Sequence, residues 1–90
     1  MTVKVYQTDF EDSVDYSIGK FDPVKNLEKY IHVADLDVET LDEAFEVGNI
    51  GPESYYTRYA PMHSVSVGDI LELNGKKYVV ASFGFNELNQ

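Results

Sequence analysis

Asp69-Ile70-Leu71-Glu72-Leu73-Asn74-Gly75-Lys76-Lys77-Tyr78-Val79-Val80-Ala81-Ser82 is the stretch that decides the fold. Two β-rich runs, 69–73 and 76–82, flank Asn74-Gly75. A two-residue hairpin turn needs positive φ at both central positions, and Asn-Gly is the pair that accepts this most readily. Leu71 and Leu73 alternate with Glu72, as in a strand that buries one face. Gly68-Asp69 turns the chain into the hairpin and Gly84 ends its second strand.

Working outward, Thr2 to Thr8 sets Val3 and Val5 against Lys4 and Tyr6 and reads as a first strand. Asp9 to Lys20, with four acids and Gly19, reads as a loop. Asp22-Pro23 is an N-cap with proline at the first helical position, and Val24, Leu27 and Ile31 follow at helical spacing. The expectation is a helix over 23–29 and a strand over 30–35. Thr40-Leu41-Asp42-Glu43 fits a capping box, so a second helix is expected over 41–47, stopped by Gly48 or Asn49. From Gly51-Pro52 to Met62 the chain reads as irregular. These elements predict one α+β domain over 1–90: a small antiparallel sheet with a C-terminal hairpin (about 69–73 and 76–82) and one or two short helices. The expected core is Val3, Val5, Leu41, Phe45, Ile70 or Leu71, Leu73, Val79 or Val80, and Phe83. The open sheet edge leaves monomer and homodimer both available.

The series Leu41-Asp42-Glu43-Ala44-Phe45-Glu46-Val47-Gly48-Asn49, then Ser64-Val65-Ser66-Val67-Gly68-Asp69-Ile70, the hairpin, and Ser82-Phe83-Gly84-Phe85 resembles small YodL-like domains of bacteriophages and conjugative elements. Those domains show L-E-x-x-F-x-x-x-N, an arginine-led R-S-L-S-V-G-D-V-V, a hairpin and a closing G-F. The resemblance covers roughly half the chain, and His63 stands where that arginine leads. It implies a mobile-element origin and supplies no mechanism.

Charge narrows the function classes. Seven Lys and Arg against sixteen Asp and Glu leave a net charge of −9. Thirteen of the acids, against four lysines, lie in residues 1–53, so that part carries the whole excess. A phosphate backbone needs a basic patch, so direct nucleic-acid binding is disfavoured, as is an anionic membrane. There is no Cys, which removes disulfides, zinc thiolates and thiol nucleophiles. Met1 to Phe10 has one Lys and no apolar run, so no signal peptide is expected and the location is taken as cytoplasmic, in a host cell.

The densest acidic stretch is Asp35, Asp37, Glu39, Asp42, Glu43 and Glu46, without a base. Its spacing imitates a calcium loop, but Thr40 occupies the place that needs glycine, and a β-branched residue resists positive φ. No metal or cofactor is expected. His63, Ser64, Ser66 and Asp69 are the residue types of a hydrolase triad, yet they crowd within seven positions and no G-x-S-x-G elbow exists. Turn hydrogen bonds and a cap from Asp69 explain them more simply, so no catalytic residue is assigned. His32 lies in an apolar run and reads as a satisfied, partly buried side chain.

Two binding readings stand side by side. In the first, the chain is a non-enzymatic phage or mobile-element protein that inhibits or modulates a host protein by occupying its basic, nucleic-acid-binding surface with Asp35, Asp37, Glu39, Asp42, Glu43 and Glu46. In the second, acidity serves solubility, and the segment of Tyr55, Tyr56, Arg58 and Tyr59 forms a protein contact patch with the 64–70 turn; His63 is also counted as a partner-binding residue. Tyr and Arg dominate binding hot spots, although the same tyrosines can close a core that lacks Trp.

Overall fold

The computed structural model describes residues 1–88. Six antiparallel strands form one sheet in the order β3-β2-β1-β4-β5-β6. They are β1 (Val3–Gln7), β2 (Ile31–Leu36), β3 (Tyr56–Arg58), β4 (Ile70–Leu73), β5 (Lys76–Val80) and β6 (Phe85–Glu87). Two α-helices, α1 (Phe10–Ser17) and α2 (Leu41–Ile50), and two 3-10 segments, Val24–Lys29 and Glu53–Tyr55, complete the elements among the described residues. This is the expected α+β class. Among the described residues no helix is long and apolar enough to cross a membrane.

The hairpin forms as its turn dictates: Asn74 and Gly75 take φ of 55° and 79°, and Leu73 pairs with Lys76. β1 lies between β4 and β2, so the N-terminal strand is central and paired along both edges. Alternation along it sends Val3, Val5 and Gln7 to one face and Lys4 and Tyr6 to the other. The register of β2 shifts between Val5 and Tyr6, which leaves Val33 as an extra residue. Such a bulge places Val33 and Ala34 together in the core.

The inner face gathers Val3, Val5, Leu36, Leu71 and Val80 against Ala44 and Val47 of α2 and against Val65. Thr40 caps α2, its Oγ1 accepting the Glu43 N–H at 3.1 Å. The Glu43 carboxylate in turn accepts from the Thr40 hydroxyl rather than from the Thr40 backbone. α2 outruns the expected stop by a turn. Gly51, at φ 78°, ends it with its N–H on the Val47 carbonyl. Gly48 instead lies buried in the helix, where an added Cβ would meet Val65 Cγ2 at 2.3 Å. The missing side chain lets α2 seat on Val65. The segment is pinned there by the Val65 N–H on the Gly48 carbonyl and by the Asn49 amide on the Val65 carbonyl.

Other expectations are corrected. Residues 10–17, read as a loop, are helical, but the only residue α1 buries is Ser13, so no apolar stripe announced it. The helix over 23–29 is a pair of 3-10 turns broken at Asn26 (φ −129°), with no buried residue to extend it. Within 51–62 the chain forms β3, and past Gly84 it forms β6; both are three-residue edge strands. Phe45 is 39 % exposed and Phe83 96 % exposed, so neither is core, while Leu41 and Leu73 are partly buried against it. Ile70 and Leu71, and Val79 and Val80, are all buried.

Candidate partner-binding face

The acidic stretch splits in the fold. Asp35 sits on β2 opposite Lys4, on the face away from α2. Its carboxylate lies 2.7 Å from His32 Nε2 and accepts the Tyr59 hydroxyl at 2.7 Å. That hydrogen bond holds the Tyr59 phenol above its ordinary pKa. Asp37, Glu39, Asp42, Glu43 and Glu46 lie instead on the loop into α2 and on its outer surface, and all five are exposed. The capped N-terminus places Asp42 and Glu43 at the favourable end of the helix dipole. Glu46 follows one turn after Asp42, and α2 has no base in its last turn.

Among the described residues none of these five acids forms an ion pair, whereas Asp12, Glu53 and Glu72 each do, with Lys29, Arg58 and Lys77, and Asp35 is held by His32 and Tyr59. Lys29, Lys77 and Arg58 are paired elsewhere, and among the described residues the α2 face keeps its charge uncompensated. Like charges one turn apart repel by a few tenths of a kcal/mol each.

The tyrosine segment divides differently. Tyr56 packs against the core, donates its hydroxyl to the Val47 carbonyl, and burial raises its pKa. Arg58 stacks over the Tyr56 ring at 4.4 Å and forms a two-pronged ion pair with Glu53, which lowers the Glu53 pKa. Tyr55 and Tyr59 remain exposed. Tyr59 also continues a row that sequence reading missed: the Tyr6, His32 and Tyr59 rings lie 5.1 and 4.9 Å apart across the sheet. Tyr6 donates to Glu72, and burial together with that carboxylate pushes its phenol up to about 12. The available signal was the polar side of two alternating strands, where Tyr6 faces His32.

His63 and Asp69 are joined through Gln7. The Gln7 amide nitrogen donates to the His63 carbonyl at 2.9 Å and to Asp69 Oδ2 at 3.0 Å, and its carbonyl accepts the His63 N–H at 3.2 Å. Asp69 is 0 % exposed and also accepts the Ser66 N–H, so its carboxylate serves as an internal cap. His63 lines two surface clefts, and Asp69 lines neither. At Thr40 the backbone is extended (φ −132°), the geometry of a cap and not of a calcium-loop turn. Among the described residues no group of three or more His, Asp or Glu is placed to hold a metal ion. No family model, curated protein or solved structure matches the chain.

Proposed function

We propose that this chain is a non-enzymatic binding protein of phage or mobile-element origin, acting in the host cytoplasm. It lays the Asp37–Glu46 face on a basic, nucleic-acid-binding surface of a host protein and so inhibits or modulates it. The observation that supports this reading is the set of five exposed acids gathered on and just before α2, none of which forms an ion pair among the described residues. Surface charge that the fold leaves uncompensated is available to steer a cationic partner, and such steering weakens as salt shortens the Debye length. The mobile-element origin rests on the sequence resemblance.

The alternative contact patch has less to offer. Tyr55 and Tyr59 are exposed, but Arg58 and Tyr56 are occupied within the molecule.

The test is affinity capture from bacterial host lysate at low salt and at about 1 M salt, with wild type and with the triple variant Asp42→Asn, Glu43→Gln, Glu46→Gln. A basic partner retained by wild type at low salt, and lost at high salt and by the variant, is expected. A partner held equally by the variant, or unchanged by high salt, overturns the reading.

A further inference from the structure

Beside the acidic face, α2 and the β5–β6 turn leave a groove of about 210 Å³. Asp42 stands on its rim. Phe45 and Phe85 form a wall, with ring centroids 6.5 Å apart in an edge-to-face pair, and Val80 and Gly84 also line it. The volume is below that of pockets for drug-sized ligands, which start near about 300 Å³, and suits a single side chain. The adjoining turn carries Phe83 almost wholly in water. The Ala81 N–H on the Gly84 carbonyl and a Gly84 φ of 75° hold that turn tight. Phe83 lies with Tyr16, Ser17 and Val67 along a neighbouring cleft that shares Ala81 and Ser82 with the groove.

The surroundings select the occupant. Residues 78–88 contain no Lys or Arg, and the helix wall supplies Asp42, with Glu46 one turn further along α2. A second copy would bring a further net charge of −9 against the same surface. We infer that the α2/β5–β6 groove and Phe83 together receive a basic segment of the partner. One large apolar side chain of that segment packs into the groove against the Phe45–Phe85 wall, and flanking Lys or Arg residues meet the α2 acids. This deepens the reading of the acidic face and rests on it. The acids contribute encounter and orientation, and the apolar anchor contributes the contact that excludes water, as in interfaces where a central aromatic residue dominates and charged groups form the rim.

The probes are two short lysine-rich peptides, one with a single central phenylalanine and one with alanine in its place. Both are titrated into the ¹⁵N-labelled chain at low salt. The phenylalanine peptide is expected to bind at least about tenfold more tightly than its control. It should shift the amides of Phe45, Ser82, Gly84 and Phe85, and most of its advantage should disappear in Phe83→Ser, a change at an exposed position that leaves the fold intact. Equal binding of the two peptides, both salt-sensitive and both lost in Asp42→Asn, Glu43→Gln, Glu46→Gln, overturns the groove and leaves the acidic face standing. Binding of neither overturns both. Shifts at the groove that track self-association in sedimentation identify a second copy as the occupant and overturn the inference.

Discussion

Gln7 donates its side-chain amide to the carboxylate of Asp69 across 62 residues of sequence, at 3.0 Å and out of contact with water. The same side chain holds both backbone polar groups of His63. Gln7 thus fastens the end of β1 to the segment that carries Val65 over α2. Gln7→Leu keeps an apolar volume at the site but leaves the buried carboxylate with the Ser66 N–H alone and removes the side-chain partner of the His63 peptide. A loss of about 3 kcal/mol is expected, since each buried group left unpaired costs about 1–3 kcal/mol. Urea unfolding reads it directly. A variant within about 0.5 kcal/mol of wild type would show the bridge to be incidental.

Burial pushes Asp69 up from 3.8 to about 6, against the lowering effect of the Ser66 N–H, the Gln7 amide and the nearby His63. The sign follows from proton counting. Between these two pH values the folded state keeps a proton that the unfolded chain has released, so this group's contribution to stability falls as pH rises through the window. Above it, the ionised buried carboxylate costs up to about 3 kcal/mol. Asp69→Asn has no such titration. The stability of wild type relative to this variant should therefore decline between about pH 4 and 7, with the asparagine protein gaining at the upper end. Denaturation curves at matched ionic strength test this, and parallel pH profiles for the two proteins would sink it.

What could be read beforehand depended on whether the deciding signal was local. The Asn74-Gly75 turn and the Thr40 cap are properties of adjacent residues, and both elements formed where expected. α1 was not legible because its period carries Ser13 inward and leaves Phe10 and Ile18 exposed. The placement of Phe83 failed because an apolar residue reads as core unless tertiary contacts say otherwise. The acidic stretch was visible as a run of residues, but only the pairing of β2 with β1 separates Asp35 from the five acids on and before α2. Gln7 as the link between His63 and Asp69 lay beyond any local pattern, being 56 residues from the nearer of the two.

Gly48 is a second place where a local rule and the tertiary structure conflict. In an isolated helix, Gly48→Ala would gain about 1 kcal/mol from helix propensity. Here the new methyl meets Val65, a stiff β-branched side chain that is itself buried. Overpacking of this kind costs about 1–3 kcal/mol, so the net effect should be a loss of about 1 kcal/mol or more. Adding Val65→Ala should recover part of that loss, although Val65→Ala alone is destabilising. A double-mutant cycle measures the coupling, and simple additivity would argue against the contact.

The α2 face makes a prediction about stability that also bears on function. Glu46 lies one turn beyond Asp42, away from the helix start, where a negative charge gains little from the dipole. Glu46→Lys turns a repulsive pair into an attractive one in the favourable acid-before-base order, worth about 0.5 kcal/mol. For a domain of this size that corresponds to a rise in Tm of about 3 °C. Salt should act in the same direction on the wild-type protein by screening the α2 acids, and should raise its Tm more than that of the variant. The two melts at low and high salt decide the matter: a variant no more stable than wild type would mean that the acids are already relaxed by solvent. If the gain appears together with loss of the basic partner, then this face retains, for binding, a repulsion that a single substitution removes.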